Sequence, residues 1–396
     1  MKKKHLISLC VLLAAGACSH NPSVPEGEFL IQGQLENVPD STVIDLRISD
    51  GQLLKEITSD TVINGKFFLR DTITSGTREL LLMSSSKGFP GTWISVWVAS
   101  GKHIKVTGAD KLLQTWTIES NIPEQQEENR FVEASFPEQR EVLKYSAQEY
   151  DLFQIMFREH ADDEEFQKEC WKQVDSLRQL KEPLENIVLQ KELAYLKTAP
   201  LSSVWFNKYL GFASRLQWDK DNPNISEIKA LYARLSDADK ETEIGQNISE
   251  YMNLGAEVNV GDKMADGDLY DPEGNLHHLS EFAGQYILLD FWSMGCGPCV
   301  QSIPEMEEII EMYKDKLAVV SISGDSKENW KKFITDNNMT GNQWNELRKG
   351  RTGLAARYKV VGIPNYVFIS PEGIIQDMWS GYGTGSLKNK LKDLVK

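Results

Sequence analysis

Residues 286–306 read YILLDFWSMGCGPCVQSIPEM. A β-prone apolar run passes through a short turn into an amphipathic stretch that opens with Gly297 and Pro298. This predicts a buried strand over 286–292 and a helix from about Gly297, with proline in the first turn, where its missing N–H costs nothing. Cys296 and Cys299 stand at that junction, two of only five cysteines in 396 residues. The flanks keep the same rhythm. KLAVVSIS reads as a second buried strand and SKENWKKFITDNN as a helix with Trp330 and Phe333 inward. NYVFISPEGIIQDMW reads as a β-hairpin and SLKNKLKDLV as a closing amphipathic helix. Strand–helix alternation followed by an antiparallel hairpin predicts an α/β sheet of mixed direction over 255–396.

A cysteine at a helix start meets unpaired backbone N–H groups and the positive end of the dipole, which favour a thiolate on Cys296. Cys299 lies one turn inside, more shielded, and is expected to be the later thiol. Such a pair exchanges electrons through a mixed disulfide: Cys296 attacks and Cys299 resolves. Gly-Pro between them permits the tight strand-to-helix turn.

The chain begins MKKKHLISLCVLLAAGACSHNPS. Three lysines, a short apolar run and small residues before Cys18 form a secretory signal, too short to span a bilayer. The end, AAGAC, resembles a bacterial lipobox, which implies removal of residues 1–17, a lipid anchor on Cys18 and a linker over 18–28. With Ser19 next, the expectation is outer-membrane anchoring facing the periplasm. Losing three lysines and no acids takes the net charge from −15 to −18, which argues against nucleic-acid partners. Cys170 reads as a core thiol on an amphipathic helix, leaving one adjacent cysteine pair in an oxidising compartment.

Residues 29–110 come in short β-prone bursts with turns at Asn64-Gly65 and Ser100-Gly101, which predict two hairpins within a small antiparallel β-sandwich. Trp93 and Trp97 share a strand face and are expected in its core. Residues 123–253 are charged and helical, with Phe166, Cys170, Val174 and Leu177 as one stripe. Pro137, Pro183 and Pro200 are expected to separate helices, and Ser202 or Ser203 to cap the helix that follows. The acidic faces read as solvated surface around a helical bundle. The whole is a multidomain chain: β-sandwich, central α-helical segment and C-terminal α/β domain.

From about Val260 onward the chain resembles the periplasmic thioredoxin-like thiol–disulfide oxidoreductases of the thiol-reductase, cytochrome-maturation type. The motifs are the strand with Cys-Gly-Pro-Cys, Pro304 downstream, and the distant Gly362-Ile363-Pro364. Gly261-Asp262, the Asp271–Gly274 turn and LSEFAGQ as a lead-in strand resemble that family's extended N-terminal hairpin. The front segment resembles the β-domain fused ahead of such redoxins in Bacteroidetes lipoproteins. The resemblance implies a thioredoxin fold and a redox-active disulfide between Cys296 and Cys299. It implies a buried Asp290 as proton acceptor for Cys299, and a cis Pro364 opposite the disulfide, with Ile363 docking an extended substrate. Pro304 is implied to kink the helix and Trp292 to pack beside the site. Most relatives carry Trp where this chain has Gly295, a change that opens the substrate surface beside Cys296. Implied partners are cysteine-containing protein substrates and a membrane thiol electron donor; no cofactor is expected.

Three other readings stand beside this one. A zinc site would need His277 and His278 to complete the cysteine pair, yet they fall in a predicted turn and strand. A thiol peroxidase would use Ser293, three before Cys296, but would need proline at Leu289, inside the strand. A non-enzymatic envelope scaffold would keep the fold without the chemistry.

Overall fold

The computed structural model describes residues 22–49, 54–86, 88–217, 219, 222–348 and 352–395. The signal segment and Cys18 lie outside the described residues. The front of the chain forms β1 (Glu28–Leu35), β2 (Val43–Ser49), β3 (Leu54–Thr61), β4 (Lys66–Thr72), β5 (Thr77–Met83), β6 (Trp93–Ala99), β7 (Lys102–Gly108) and β8 (Thr117–Glu119). They make two four-stranded sheets, ordered β4-β1-β7-β8 and β3-β2-β5-β6. Period-two burial drives the packing: on β4, Phe67 and Leu69 are fully buried between exposed neighbours.

Both expected hairpins are corners instead. Asn64 and Gly65 do take positive φ (50° and 71°) in a tight turn closed by an Ile63–Lys66 bridge. Yet β3 stays with β2 while β4 crosses to β1 in the other sheet. The Ser100-Gly101 turn likewise sends β6 and β7 to different sheets, and β7 runs parallel to β1, so the sandwich is not wholly antiparallel. Pairing across a sandwich lets each strand bury its apolar face against the opposite sheet, a choice that turn chemistry does not decide. Trp97 joins the core, whereas Trp93, at the open end of β6, is 46% exposed.

The middle forms α1 (Pro123–Gln154), α2 (Glu164–Thr198), α3 (Ser203–Arg215), α4 (Ile225–Leu231), α5 (Asp237–Glu241) and α6 (Glu243–Met252). Pro200 separates α2 from α3, and the Ser202 hydroxyl caps α3 by accepting from the Trp205 N–H at 3.1 Å. Pro137 and Pro183, expected between helices, lie inside α1 and α2. The pair is bound along its length, which offsets the roughly 3 kcal/mol that an interior proline costs. Glu149 accepts from Arg178 and Lys181, Glu138 from Lys191, and Phe131 meets Tyr195 edge-on. Cys170 and Val174 are buried as the stripe predicts, with Phe166 and Leu177 half-buried. At its start α1 seals both sheets: Gln125 accepts from the Trp97 N–H (2.8 Å), and Asn129 donates to the Ile118 carbonyl (2.7 Å). One apolar core runs from the sandwich through these helices.

The C-terminal part forms β9 (Leu269–Tyr270), β10 (Leu276–His277), β11 (Tyr286–Trp292), α7 (Gly297–Tyr313), β12 (Leu317–Ser323), α8 (Lys327–Asp336), β13 (Asn342–Asn345), α9 (Leu354–Arg357), β14 (Asn365–Ile369), β15 (Ile375–Ser380) and α10 (Ser386–Leu394). The sheet order is β10-β9-β13-β12-β11-β14-β15. The strands β11, β12 and β13 are parallel, and β14 and β15 add antiparallel. This is the expected mixed sheet. LSEFAGQ differs: Leu279–Phe282 is a 3-10 turn, tied down where Asp266 accepts from the Leu279 and Ser280 N–H groups. The two-residue strands β9 and β10 supply the lead-in hairpin around the Asp271–Gly274 turn.

Candidate active site

Strand β11 is buried along nearly its whole length and delivers the chain to the sheet's C-terminal edge, where open α/β sheets place their sites. The three residues before the motif are fixed by Asp325, which lies just past β12. Its carboxylate accepts from the Ser293 hydroxyl (2.8 Å), the Met294 N–H (2.8 Å) and the Ser323 hydroxyl (2.9 Å). The Gly295 N–H in turn donates to the Ser293 hydroxyl at 3.2 Å. Sequence reasoning did not single out Asp325. Its available signal was an acidic residue two positions beyond a buried strand's C-terminal end.

Cys296 is the N-cap of α7, half-buried, and Cys299 is 2% exposed one turn inside. They form a disulfide with Cα atoms 5.2 Å apart. The Cys299 N–H points at the Cys296 sulfur, 3.2 Å away. The outer sulfur therefore sits on the positive end of a 17-residue helix while the inner one is covered. Pro304 lies inside α7, as expected.

Asp290 is 6% exposed, in the interior of β11. One carboxylate oxygen accepts from the Ser321 hydroxyl at 3.2 Å, and Oδ1 has no partner among the described residues. Burial pushes its pKa up to about 7, with the Ser321 hydrogen bond pulling the other way. A carboxyl poised there exchanges protons near neutral pH, the range a general base for a thiol requires. Asp290 and Cys299 line the same small cavity, together with Trp292 and Ser302.

The Ile363–Pro364 peptide is cis. Ile363 packs, half-buried, into the apolar cluster of Trp292, Cys299 and Trp330, which places this loop beside the disulfide. Trp292 is 3% exposed and packs on the Phe333 ring at 5.6 Å. Gly295 is exposed next to Cys296. A second cavity, about 480 Å³, opens between Trp292 and Ile363 and carries one cation, Arg348, in its wall. The structure thus brings together Cys296, Cys299, Asp290, Trp292, Gly295, Ile363 and Pro364.

The histidines lie elsewhere. His277 is on β10, four strands from β11, stacked on Trp344 at 4.7 Å and placed between Asp271 and Glu281. It is half-buried, and hydrogen bonding to Glu281 raises its pKa. His278 follows the strand and caps the 3-10 turn.

The family model described as AhpC/TSA matches residues 260–378. The thioredoxin-like protein YneN of Bacillus subtilis is 30% identical over 137 residues, which cover 35% of this chain and 81% of that protein. The chain belongs to the thioredoxin-like thiol–disulfide oxidoreductases. The thiol–disulfide oxidoreductase ResA of Geobacillus thermodenitrificans is 35% identical over 78 residues, 19% of this redoxin and 45% of ResA, so that match spans under half the relative's length. Among solved structures, the thioredoxin domain of a Bacteroides vulgatus thiol–disulfide oxidoreductase is 29% identical, with TM-score 0.32, covering 35% of this chain and 100% of that domain.

Proposed function

We propose that this redoxin is a cell-envelope reductase of protein disulfides, tethered through Cys18 and recharged by a membrane thiol donor. The observation that carries the reading is the shared setting of three groups: Cys296 capping α7, Cys299 covered behind it, and Asp290 on the same cavity as Cys299. In the reduced protein the Cys296 thiolate attacks a client disulfide, and one client sulfur leaves as thiolate. Cys299 gives its proton to the Asp290 carboxylate and attacks the Cys296 sulfur. The mixed disulfide breaks, the second client thiolate leaves, and the Cys296–Cys299 bond carries the two electrons' worth of oxidation. Ile363-Pro364, Trp292 and the open surface at Gly295 form the client's docking edge. The N-terminal signal supports the envelope location, and the unmatched charge of −15 supports a protein client over nucleic acid.

The peroxidase reading finds less support. Leu289 is fully buried mid-strand where a peroxide pocket needs a turn, and the Ser293 hydroxyl is engaged by Asp325. The test is a pair of variants of the mature chain. Cys296→Ser abolishes insulin reduction, and Cys299→Ser accumulates mixed disulfides with envelope clients on non-reducing gels. Full insulin reduction by Cys296→Ser would remove the assignment of the nucleophile.

A further inference from the structure

Asp290, Ser321 and Gln343 stand at one register across β11, β12 and β13, and Tyr366 of β14 continues the row beside Asp290. Residues paired across neighbouring strands project to the same face of a sheet. Here that face is covered by α7, whose Ser302, Met306 and Glu307 wall the cavity holding Asp290 and Cys299. A polar line laid through an apolar interlayer needs its hydrogen bonds accounted for. The Ser321 hydroxyl donates to Asp290 Oδ2, and Gln343 Nε2 donates to the Thr340 carbonyl at 2.9 Å. Three buried polar atoms of the cavity wall are then left without a partner among the described residues: Asp290 Oδ1, Gln343 Oε1 and Trp292 Nε1. An unmatched buried polar atom costs about 1–3 kcal/mol, so three around one small cavity call for a common partner. Two acceptors and one donor match a water molecule, which donates twice and accepts up to twice, leaving one lone pair free. The cavity has room for about one water, and its wall includes the half-buried Glu307 and the exposed Thr340.

We propose that Gln343 Oε1 and Trp292 Nε1 hold a water against Asp290 Oδ1, and that this water carries the proton of Cys299 from Asp290 to solvent. Gln343 and Trp292 are positioning residues; the proton itself never resides on them. The proposal rests on Cys299 as the resolving thiol and Asp290 as its base. As Cys299 forms its bond to the Cys296 sulfur, its proton passes to Asp290, and the leaving thiolate takes a proton from bulk. In the same step Asp290 passes a proton through the bound water toward the solvent-exposed wall of the cavity, so the buried carboxyl gains no net proton during resolution and Cys299 stays covered. The titratable groups around Asp290 are Cys299 and Glu307 from α7 and Tyr366 from β14, with Glu305 and Tyr382 beyond, acting on Tyr366. The facing positions on β12 and β13, Ser321 and Gln343, do not titrate near neutrality.

The test uses the reduced mature chain mixed with a nitrobenzoate aryl disulfide, whose thiolate absorbs on release, in a stopped-flow instrument. The first release reports attack by Cys296 and the second reports resolution by Cys299. Gln343→Met keeps the side chain's volume but removes the Oε1 acceptor and, with it, the Nε2 donor to the Thr340 carbonyl. It slows the second release relative to the first by about tenfold, less than the roughly hundredfold expected for loss of the base itself, because Asp290 remains. Gln343→Glu, which restores an acceptor, recovers the rate, a rescue that a merely structural role would not give. Trp292→Phe, which keeps an aromatic ring and removes the N–H, slows the same phase independently. A second-to-first ratio within about twofold of the parent in both Gln343→Met and Trp292→Phe overturns the relay. If the parent itself gives no second release, it is the resolving role of Cys299 that fails.

Discussion

Replacing Asp290 by Asn stabilises the oxidised protein, and does so increasingly as pH rises. Asp290 is pushed up to about 7 by burial, so the folded state binds its proton about a thousandfold more tightly than an unfolded aspartate with pKa near 3.9. Below both values the carboxyl is neutral in both states and burial imposes little electrostatic cost. As pH rises past the unfolded value, the unfolded chain releases the proton while the folded state keeps it, so stability declines. The decline ends near pH 7, where the folded group also ionises, with about 4 kcal/mol of stability lost. Asparagine does not ionise and escapes this loss, while its amide can still meet the Ser321 hydroxyl that now donates to Asp290. The advantage of Asp290→Asn over the parent therefore grows by about 3 kcal/mol between roughly pH 5 and pH 8. Pulse proteolysis of the oxidised full chain across a urea series, with peptides from β11 and β12 quantified by mass spectrometry, reads the stability of this domain alone. The same variant, reduced, resolves mixed disulfides about a hundredfold more slowly, because the proton acceptor is gone. An advantage equal at both pH values would refute the reasoning, since a shape effect does not titrate.

Glu305 behaves with the opposite sign. Burial works to raise its pKa, but the N–H groups of Lys388 and Gly385 and the Tyr382 hydroxyl outweigh it and hold it low. Its contribution is thus present above the usual carboxylate pKa and is lost as pH falls through the lowered one. Glu305→Ala, which leaves those three donors unmatched at the start of α10, costs about 2–3 kcal/mol at neutral pH and less in acid, measurable by the same proteolysis on C-terminal peptides. In the sandwich, a Cβ on Gly33 would meet the Phe67 ring at 1.8 Å. Gly33→Ala destabilises the front core by about 1–3 kcal/mol, and Phe67→Leu in the same chain returns part of that, as thermal unfolding would show.

The chemistry was legible where it is local. A buried strand feeding a Pro-opened helix, with cysteines at its first turn, is written in residues 286–306, and the structure builds it there. Asp290 was marked by the resemblance, as the carboxyl six residues before Cys296 in the family's motif, and the structure places it inside the buried strand. What the chain does not write locally is which strand lies beside which. Asn64-Gly65 has the composition of a hairpin turn and takes that turn's backbone, yet its two strands part into separate sheets because the sandwich core claims both. Pro137 and Pro183 are helix breakers by propensity, overridden by the packing and ion pairs between two long helices. Gln343 and Ser321 looked ordinary because their relation to Asp290 exists only through the registers of three strands. Asp325 organises the active-site turn from 31 residues away in sequence, a distance over which no spacing rule speaks.

The reductase reading is tested most directly by the equilibrium reduction potential of the Cys296–Cys299 pair in the purified mature chain, read by thiol alkylation across a dithiothreitol series. The account predicts a single two-electron transition near or below about −250 mV, toward the thioredoxin end of the scale. A value near about −120 mV would make the protein a disulfide donor, and the absence of any reversible transition would contradict the enzyme altogether.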